Sequence, residues 1–338
     1  MEQRNFNYII LIALIAGLAT TIGLQVMTFT QIGTISGTPT GGEAGIRISG
    51  STTCFPVMEN ASVTYMNDNP SITIAVSSGG SGQGVDDLAA GITDIGMTSR
   101  PIKDSEKAEH SGTDILEWTD WKFAKDGVTI IASDELLPYW VGGTPNMTLK
   151  TIFEIYNGNI TSWNDVPGFS GVPGGQATIV PLTREGGSGT RETFEKYVKV
   201  EAPYYTENWG ELEDDAAYQA VVSSYGVADG NPAMSQEVTD GTAAIGYVGL
   251  AYVDDANQIK FNVAYNSSLT PIEPKQSTIL DATYPISRFL HLWTTPTASA
   301  ATLNFINYIF SPEGQAIVFY EGYVPLYDLS PYDFLYMN

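Results

Sequence analysis

Cysteine, histidine and positive charge are all scarce in this chain of 338 residues. The single cysteine, Cys54, excludes a disulfide within the chain. Two histidines are too few for a histidine-rich metal site, and the sequence has no CxxC, HExxH or EF-hand spacing, so we expect neither a metal ion nor a cofactor. The 15 Lys and Arg against 38 Asp and Glu give a net charge of −23, which repels nucleic acid and excludes it as a partner.

Charge is also missing from residues 8–32, an apolar run that is long enough to cross a bilayer as a helix. The run follows a short segment, residues 1–7, and precedes a tether rich in Gly and Thr, residues 33–44. It is longer than the apolar core of a typical secretory signal and lacks an AxA-like cleavage site. We therefore expect a retained membrane anchor with residues 1–7 in the cytoplasm, and a cleaved signal is the alternative. Both place the rest of the chain outside the cytoplasm, either at the cell surface or secreted.

From residue 46 onward, patterns typical of strands alternate with patterns typical of helices. Strand patterns occur at residues 46–50, 71–77, 93–97, 127–133, 178–184 and 243–253. Apolar residues at helical spacing follow most of them, and Ser311 before Pro312 is typical of a helix start. The alternation predicts an α/β fold with largely parallel strands, and the length suits two domains.

Three loops rich in Gly, Ser and Thr each follow a predicted strand and open a predicted helix. The first loop is residues 49–56, the second is residues 77–84 and the third is residues 183–194. A helix N-terminus has unpaired N–H groups and partial positive charge, so three such ends at one point can hold an oxyanion. Arg184 can add a bidentate, charge-assisted contact. The alternative for each loop alone is an ordinary helix cap or turn.

These loops belong to a longer set of motifs that resembles the PstS family, the phosphate-binding proteins of phosphate ABC transporters. The set includes GGSGQGVDDLAAGITDIGMTSRPI (79–102), LKTIFEIYNGNITSWNDV (149–166), REGGSGTRETF (184–194) and SPEGQAIVFYEGYVPL (311–326). The resemblance covers nearly all of residues 46–326.

The resemblance implies a two-lobed α/β fold of the type II periplasmic-binding-protein-like kind. Hinge strands near residues 122–126 and 285–292 are expected to let the lobes close over phosphate. Lobe one is expected to comprise residues 45–124 plus 288–332, and lobe two residues 125–287. This division places the first two loops in lobe one and the third in lobe two, so the anion site is expected in the cleft.

The resemblance also implies a ligand set of main-chain N–H groups, hydroxyls and one arginine. The residues that it assigns to the phosphate site are Thr52, Thr53, Cys54, Phe55, Ser81, Arg184, Ser188, Gly189 and Thr190. Cys54 stands where the family often has a hydroxyl residue, so Thr53 is the alternative source of that hydroxyl. Glu185 is expected to orient Arg184 through a salt bridge.

Arg100 is a further candidate because it departs from the family pattern. It stands at the position that we match to an Asp that accepts a proton from phosphate in many members. Arg100 is either a second cationic ligand or the partner of a carboxylate such as Glu185. In the first case, the site loses the family's usual means of excluding sulfate.

The expected function is that of a receptor that captures inorganic phosphate and delivers it to the permease subunits of an ABC transporter. A receptor of the same fold for sulfate, molybdate or tungstate is the first alternative. A phosphatase-like enzyme is the second, but it needs a nucleophile or a metal pair together with an acid. The three loops contain no histidine and neither the GxSxG nor the GK[ST] pattern, so we expect no catalytic residues.

Overall fold

The computed structural model of the chain describes residues 44–198 and 216–326, which all belong to one compact unit that begins at Glu43. Within these two ranges, no helix is long and apolar enough to cross a membrane. The predicted N-terminal segment and anchor, residues 1–32, lie outside the described residues.

Most strands of the described part lie side by side in one sheet, in the order β2, β1, β3, β11, β4, β8, β6 and β7, and β9 pairs with β4. Strands β5 and β10 form a separate two-stranded sheet. The strands are β1 (Ala44–Gly50), β2 (Ile72–Val76), β3 (Ile95–Thr98), β4 (Thr119–Ser133), β5 (Asn146–Thr148), β6 (Val180–Arg184), β7 (Gly226–Ala228), β8 (Ala244–Gly249), β9 (Gln258–Lys260), β10 (Asn262–Ala264) and β11 (Ser287–Thr294).

Helices connect most of these strands. The α-helices in the described ranges are α1 (Phe55–Asp68), α2 (Ser81–Ala89), α3 (Asp104–Glu109), α4 (Leu149–Tyr156), α5 (Gly174–Ala177), α6 (Gly189–Val198), α7 (Ala216–Val222), α8 (Gly230–Asp240), α9 (Gln276–Leu280), α10 (Ala300–Ile309) and α11 (Pro312–Tyr320). Short 3₁₀ helices lie at Ile115–Glu117, Asp134–Tyr139, Trp163–Asp165 and Leu250–Tyr252.

The centre of the large sheet is antiparallel, so the expectation of largely parallel strands was wrong there. Strand β11 is antiparallel to both β3 and β4, and β4 is antiparallel to β8. The outer pairs, β1 with β2 and β3 and β6 with β7 and β8, are parallel as expected. Strand β11, late in the chain, inserts between β3 and β4 instead of following a helical crossover from a parallel neighbour.

Strand β4 joins two hydrophobic cores. Its residues Phe123 and Ala124 belong to the first core, together with apolar residues of α1, β1, β3, β11, α10 and α11. Its residues Val128 and Ile130 belong to the second core, together with residues of α4, α6, α7 and β8. In the sequence of β4, Asp126 lies between Ala124 of the first core and Val128 of the second. The predicted limits of the two lobes stay a prediction.

Two local details bear on the patterns read from the sequence. The helix start at Ser311 is confirmed, because its hydroxyl accepts the Gly314 N–H at 3.2 Å and Pro312 opens α11. The strand predicted over residues 243–253 ends earlier, at Gly249. The chain turns there into a 3₁₀ helix, and the Leu250 N–H donates to Asp126 at 3.1 Å.

Candidate anion-binding site

The first loop runs from β1 into α1 and is fixed from two directions. Tyr252 Oη donates to the carbonyl of Thr52 at 2.8 Å, and Tyr323 Oη donates to the carbonyl of Thr53 at 2.6 Å. The Thr53 side chain is fully buried, and its hydroxyl oxygen lies 3.2 Å from that of Thr190 in α6. The two tyrosines therefore fix the backbone of the first loop, and the Thr53 hydroxyl of this loop contacts Thr190 of the third loop.

The second loop runs from β2 into α2, which begins at Ser81. The buried Ser81 Oγ accepts the Ser99 N–H at 3.0 Å and lies 3.3 Å from Ser99 Oγ. The Gly82 N–H donates to the carbonyl of Gly187 at 3.0 Å. The second and third loops are therefore in direct contact.

Arg184 ends β6, is almost completely buried and is oriented by Glu185, as predicted. Its Nε and Nη2 each donate to a Glu185 oxygen at 2.8 Å. Nη1 donates to Asn231 at 3.0 Å, and Nη2 lies 3.3 Å from the Thr52 hydroxyl. Burial opposes ionisation of Glu185, but Arg184 and the Gly230 N–H outweigh it and hold the pKa of this carboxyl below its usual value.

The start of α6 packs directly against the second loop at Gly189. A Cβ at this position would lie 2.5 Å from Ser99 Oγ and closer still to Ser81 Oγ. Since real Cβ contacts are longer than this, the close approach requires glycine. Ser188, just before it, is buried and its hydroxyl accepts the Arg191 N–H at 3.3 Å, a contact within the first turn of the helix.

Cys54 and Phe55 contribute less to the contacts between the loops than the hydroxyl residues do. The Cys54 thiol is fully buried in the first core and lies 3.5 Å from the carbonyl of Thr98. Burial raises its pKa to about 12, so the thiol is neutral at physiological pH and a poor nucleophile. Phe55 is half-buried and begins α1. Thr53 supplies the hydroxyl that faces the third loop, and its contact with phosphate in place of Cys54 stays a prediction.

The Arg100 guanidinium lies between two carboxylates. Its Nη1 and Nη2 donate to Glu106 at 2.8 Å and 2.6 Å, and its Nε is paired with Glu192. Glu106 lies in α3 and Glu192 in α6, so Arg100 connects these two helices. The structure thus gives Arg100 carboxylate partners other than Glu185, and its direct contact with an anion stays a prediction.

Sequence reasoning missed a fourth helix start, at residues 229–232, where Asp229 follows β7 and α8 begins at Gly230. Its Asn231 is fully buried, and the Nδ2 of this residue donates to Thr53 Oγ1 at 2.9 Å. The Oδ1 of Asn231 accepts from Arg184 at 3.0 Å and from the Gly249 N–H at 3.2 Å. The signal was present in the sequence as DGNP after a short strand, but we considered only loops rich in Ser and Thr.

Sequence reasoning also missed a buried ion pair on the central strands. Arg288 of β11 donates from Nη2 to Asp126 of β4 at 2.6 Å, and the same nitrogen lies 3.2 Å from Thr53 Oγ1. A single cation within the apolar sequence YPISRFLHLWT was the available signal, because a charge in a buried strand needs a partner.

The geometry thus brings most of the predicted residues to one place. The residues that it joins by direct contacts between loops are Thr52, Thr53, Ser81, Arg184, Gly189 and Thr190. Hydroxyls, helix starts and a buried guanidinium at one point can together bind a tetrahedral oxyanion.

The chain is similar to phosphate-binding proteins of known sequence and structure. The chain is 24% identical to the phosphate-binding protein PstS of Bacillus subtilis over 84% of this chain and 81% of that protein. A protein of Clostridium perfringens, assigned as a phosphate ABC transporter substrate-binding protein and solved with bound phosphate, is 27% identical, with a TM-score of 0.66 over 84% of this chain and 100% of that one. An ABC-type phosphate transport receptor from Vibrio cholerae is 25% identical, with a TM-score of 0.60 over 82% of this chain and 99% of that one.

These matches confirm the two-lobed α/β fold and the resemblance to PstS proteins that the motifs indicated. The family model described as the PBP superfamily domain matches residues 33–313, which is most of the chain. With the sheet, the loops and this match in agreement, the chain belongs to the PBP superfamily.

Proposed function

We propose that this chain captures inorganic phosphate in the cleft between its two lobes and delivers it to the permease subunits of an ABC transporter. The observation that carries the proposal is the buried Arg184 at the point where the first and third loops meet. The similarity to a structure with bound phosphate supports the choice of anion.

In the proposed complex, each class of residue has its own part. Arg184, held by Glu185, supplies the charge-assisted contact. Main-chain N–H groups at the starts of α1, α2 and α6 complement the negative charge. The proposed ligand residues are Thr52, Thr53, Cys54, Phe55, Ser81, Arg184, Ser188, Gly189 and Thr190. Arg100 is the least favoured of the candidates, because two carboxylates already engage its guanidinium.

Calorimetric titration of the full chain in detergent with phosphate, sulfate, arsenate and molybdate tests the choice of ligand. We expect tight binding of phosphate and arsenate, which share geometry and protonation, and weak or no binding of sulfate and molybdate. Preferential binding of sulfate or molybdate would instead assign the chain as a receptor for that oxyanion. Turnover of a simple phosphate ester by the same sample would contradict the proposal of a binding protein.

We also propose that the binding unit lies outside the cytoplasm and stays attached to the membrane through residues 8–32. The uncharged run is long enough to span the bilayer, and the sequence after it lacks a clear cleavage motif. N-terminal sequencing of the protein from native membranes is expected to find a chain that begins before residue 8. A mature chain that begins after residue 30 would rule out the retained anchor.

A further inference from the structure

Arg288 and Asp126 face each other on the two central strands, β11 and β4, which are paired antiparallel in register at this point. Arg288 Nε and Nη2 donate to the same Asp126 oxygen at 3.0 Å and 2.6 Å. The other oxygen of Asp126 accepts the Leu250 N–H at 3.1 Å. The side chain of Asp126 has no exposed surface, and that of Arg288 is 4% exposed. The carboxylate therefore fixes the orientation of the guanidinium.

The remaining contacts of Arg288 reach both sides of the candidate site. Nη2 lies 3.2 Å from the Thr53 hydroxyl of the first loop and 3.1 Å from the Thr190 hydroxyl of α6. Nη1 donates to the carbonyl of Gly189 at 3.1 Å. Arg288 thus touches three of the residues proposed to bind the anion, and it does so from a central strand instead of a loop.

A structural role alone is a weak explanation for this pair. Removing two charges from water costs about as much as their attraction returns, so a buried ion pair stabilises a fold little. A pair of well-packed apolar residues at these strand positions would serve the core at least as well. The presence of this buried pair is explained if the Arg288 guanidinium also binds a charged ligand.

The charges of the site support this explanation. The two arginines that contact its hydroxyls, Arg184 and Arg288, are each paired with a carboxylate, Glu185 and Asp126. The four charges sum to zero, so these groups do not repel a bound oxyanion on balance, and each guanidinium can stabilise it through a charge-assisted contact. Both guanidinium groups lie close to the hydroxyls of the first loop, within 3.3 Å.

We propose that Arg288, oriented by Asp126, is the second cation of the anion site and binds the tetrahedral oxyanion from the hinge side. Arg288 is then a further contact to the ligand, and Asp126 is its positioning residue. This inference rests on the proposed function, since it names a further contact to the same ligand.

The test uses the full chain in detergent and separates charge from folding. Arg288→Gln alone leaves Asp126 buried and unpaired, so it is expected to lower the melting temperature as well as the affinity. The double variant Arg288→Gln with Asp126→Asn removes both charges together. We expect it to melt close to wild type and still bind phosphate at least ~30-fold more weakly, because a charge-assisted contact is lost.

Two further variants complete the experiment. Arg288→Lys keeps a charge and is expected to bind phosphate about 10-fold more tightly than Arg288→Gln. The matched control is Arg47→Gln with Asp94→Asn, which removes a more exposed ion pair between Arg47 of β1 and Asp94 just before β3, and it is expected to leave the affinity unchanged.

The outcomes distinguish the inference from the function on which it rests. A folded double variant that binds phosphate as tightly as wild type would show that Arg288 only holds the strands together, which overturns the inference and leaves the proposed function intact. Equal weakening in Arg288→Lys and Arg288→Gln would overturn the cationic role in the same way. Failure of the wild-type chain to bind phosphate would overturn both.

Discussion

Replacing Arg184 with alanine is expected to weaken phosphate binding at least ~100-fold, or about 2.7 kcal/mol. Arg184 is the buried cation that links the third loop to Thr52 of the first. Its loss removes a charge-assisted contact from a dehydrated anion and leaves Glu185 beside the ligand without its partner. Calorimetry of the full chain with phosphate measures the change directly.

Two matched variants show whether this loss belongs to the site. Arg47→Ala removes an arginine that is also paired with a carboxylate, Asp94, but on the exposed side of β1, and it should leave the affinity unchanged. Ser188→Ala should cost less than Arg184→Ala, because a neutral hydrogen bond is weaker than a charge-assisted one. Near-wild-type affinity in Arg184→Ala would overturn the assignment of the site.

Replacing Gly189 with alanine is expected to weaken phosphate binding about 100-fold. The added methyl group would collide with Ser81 Oγ of the second loop and with Ser99 Oγ just after β3, both of which pack against the start of α6. Overpacking of this kind costs about 1–3 kcal/mol, and here it opposes the approach of the loops to each other. Since the lobes of such a fold close about a hinge, the variant can relieve the clash by staying open. The melting temperature without phosphate should therefore change little.

Gly186→Ala is the matched control for this prediction. It changes the same loop, but a Cβ there has no described heavy atom within 4 Å. Calorimetry should find wild-type affinity for Gly186→Ala, and small-angle scattering with phosphate should find a larger radius of gyration for Gly189→Ala than for wild type. Equal affinities in the two variants would mean that the close approach at Gly189 is unnecessary for binding.

The loops and Arg184 were predictable because their signals are local. A strand that ends in Gly, Ser and Thr and runs into a helix places N–H groups and hydroxyls together within about ten residues of sequence. The pairing of Arg184 with Glu185 was predictable for the same reason, since the two residues are adjacent.

The other half of the charged site could not be predicted in this way. Arg288 and Asp126 are 162 residues apart in sequence, and their contact depends on β11 pairing antiparallel with β4. The direction of a strand comes from its neighbours in the sheet, whereas periodicity reports only which of its faces are buried. The pairing of Arg100 with Glu192 was equally hidden, because Glu192 reaches it from α6, far away in the sequence.

The layout of the two cores along the chain also sets an order of assembly. Apart from Val324, the second core draws on one continuous stretch, from Val128 to Ile286. The first core combines residues before position 125 with Leu290 and with residues of α10 and α11. A chain that emerges from the ribosome or the export channel N-terminus first therefore completes the second core before the first, although the first begins earlier in the sequence. Strand β3 keeps one unpaired edge until β11 is available, and the first core stays incomplete until the last helices follow, so the N-terminal third is the part most exposed to aggregation during biogenesis.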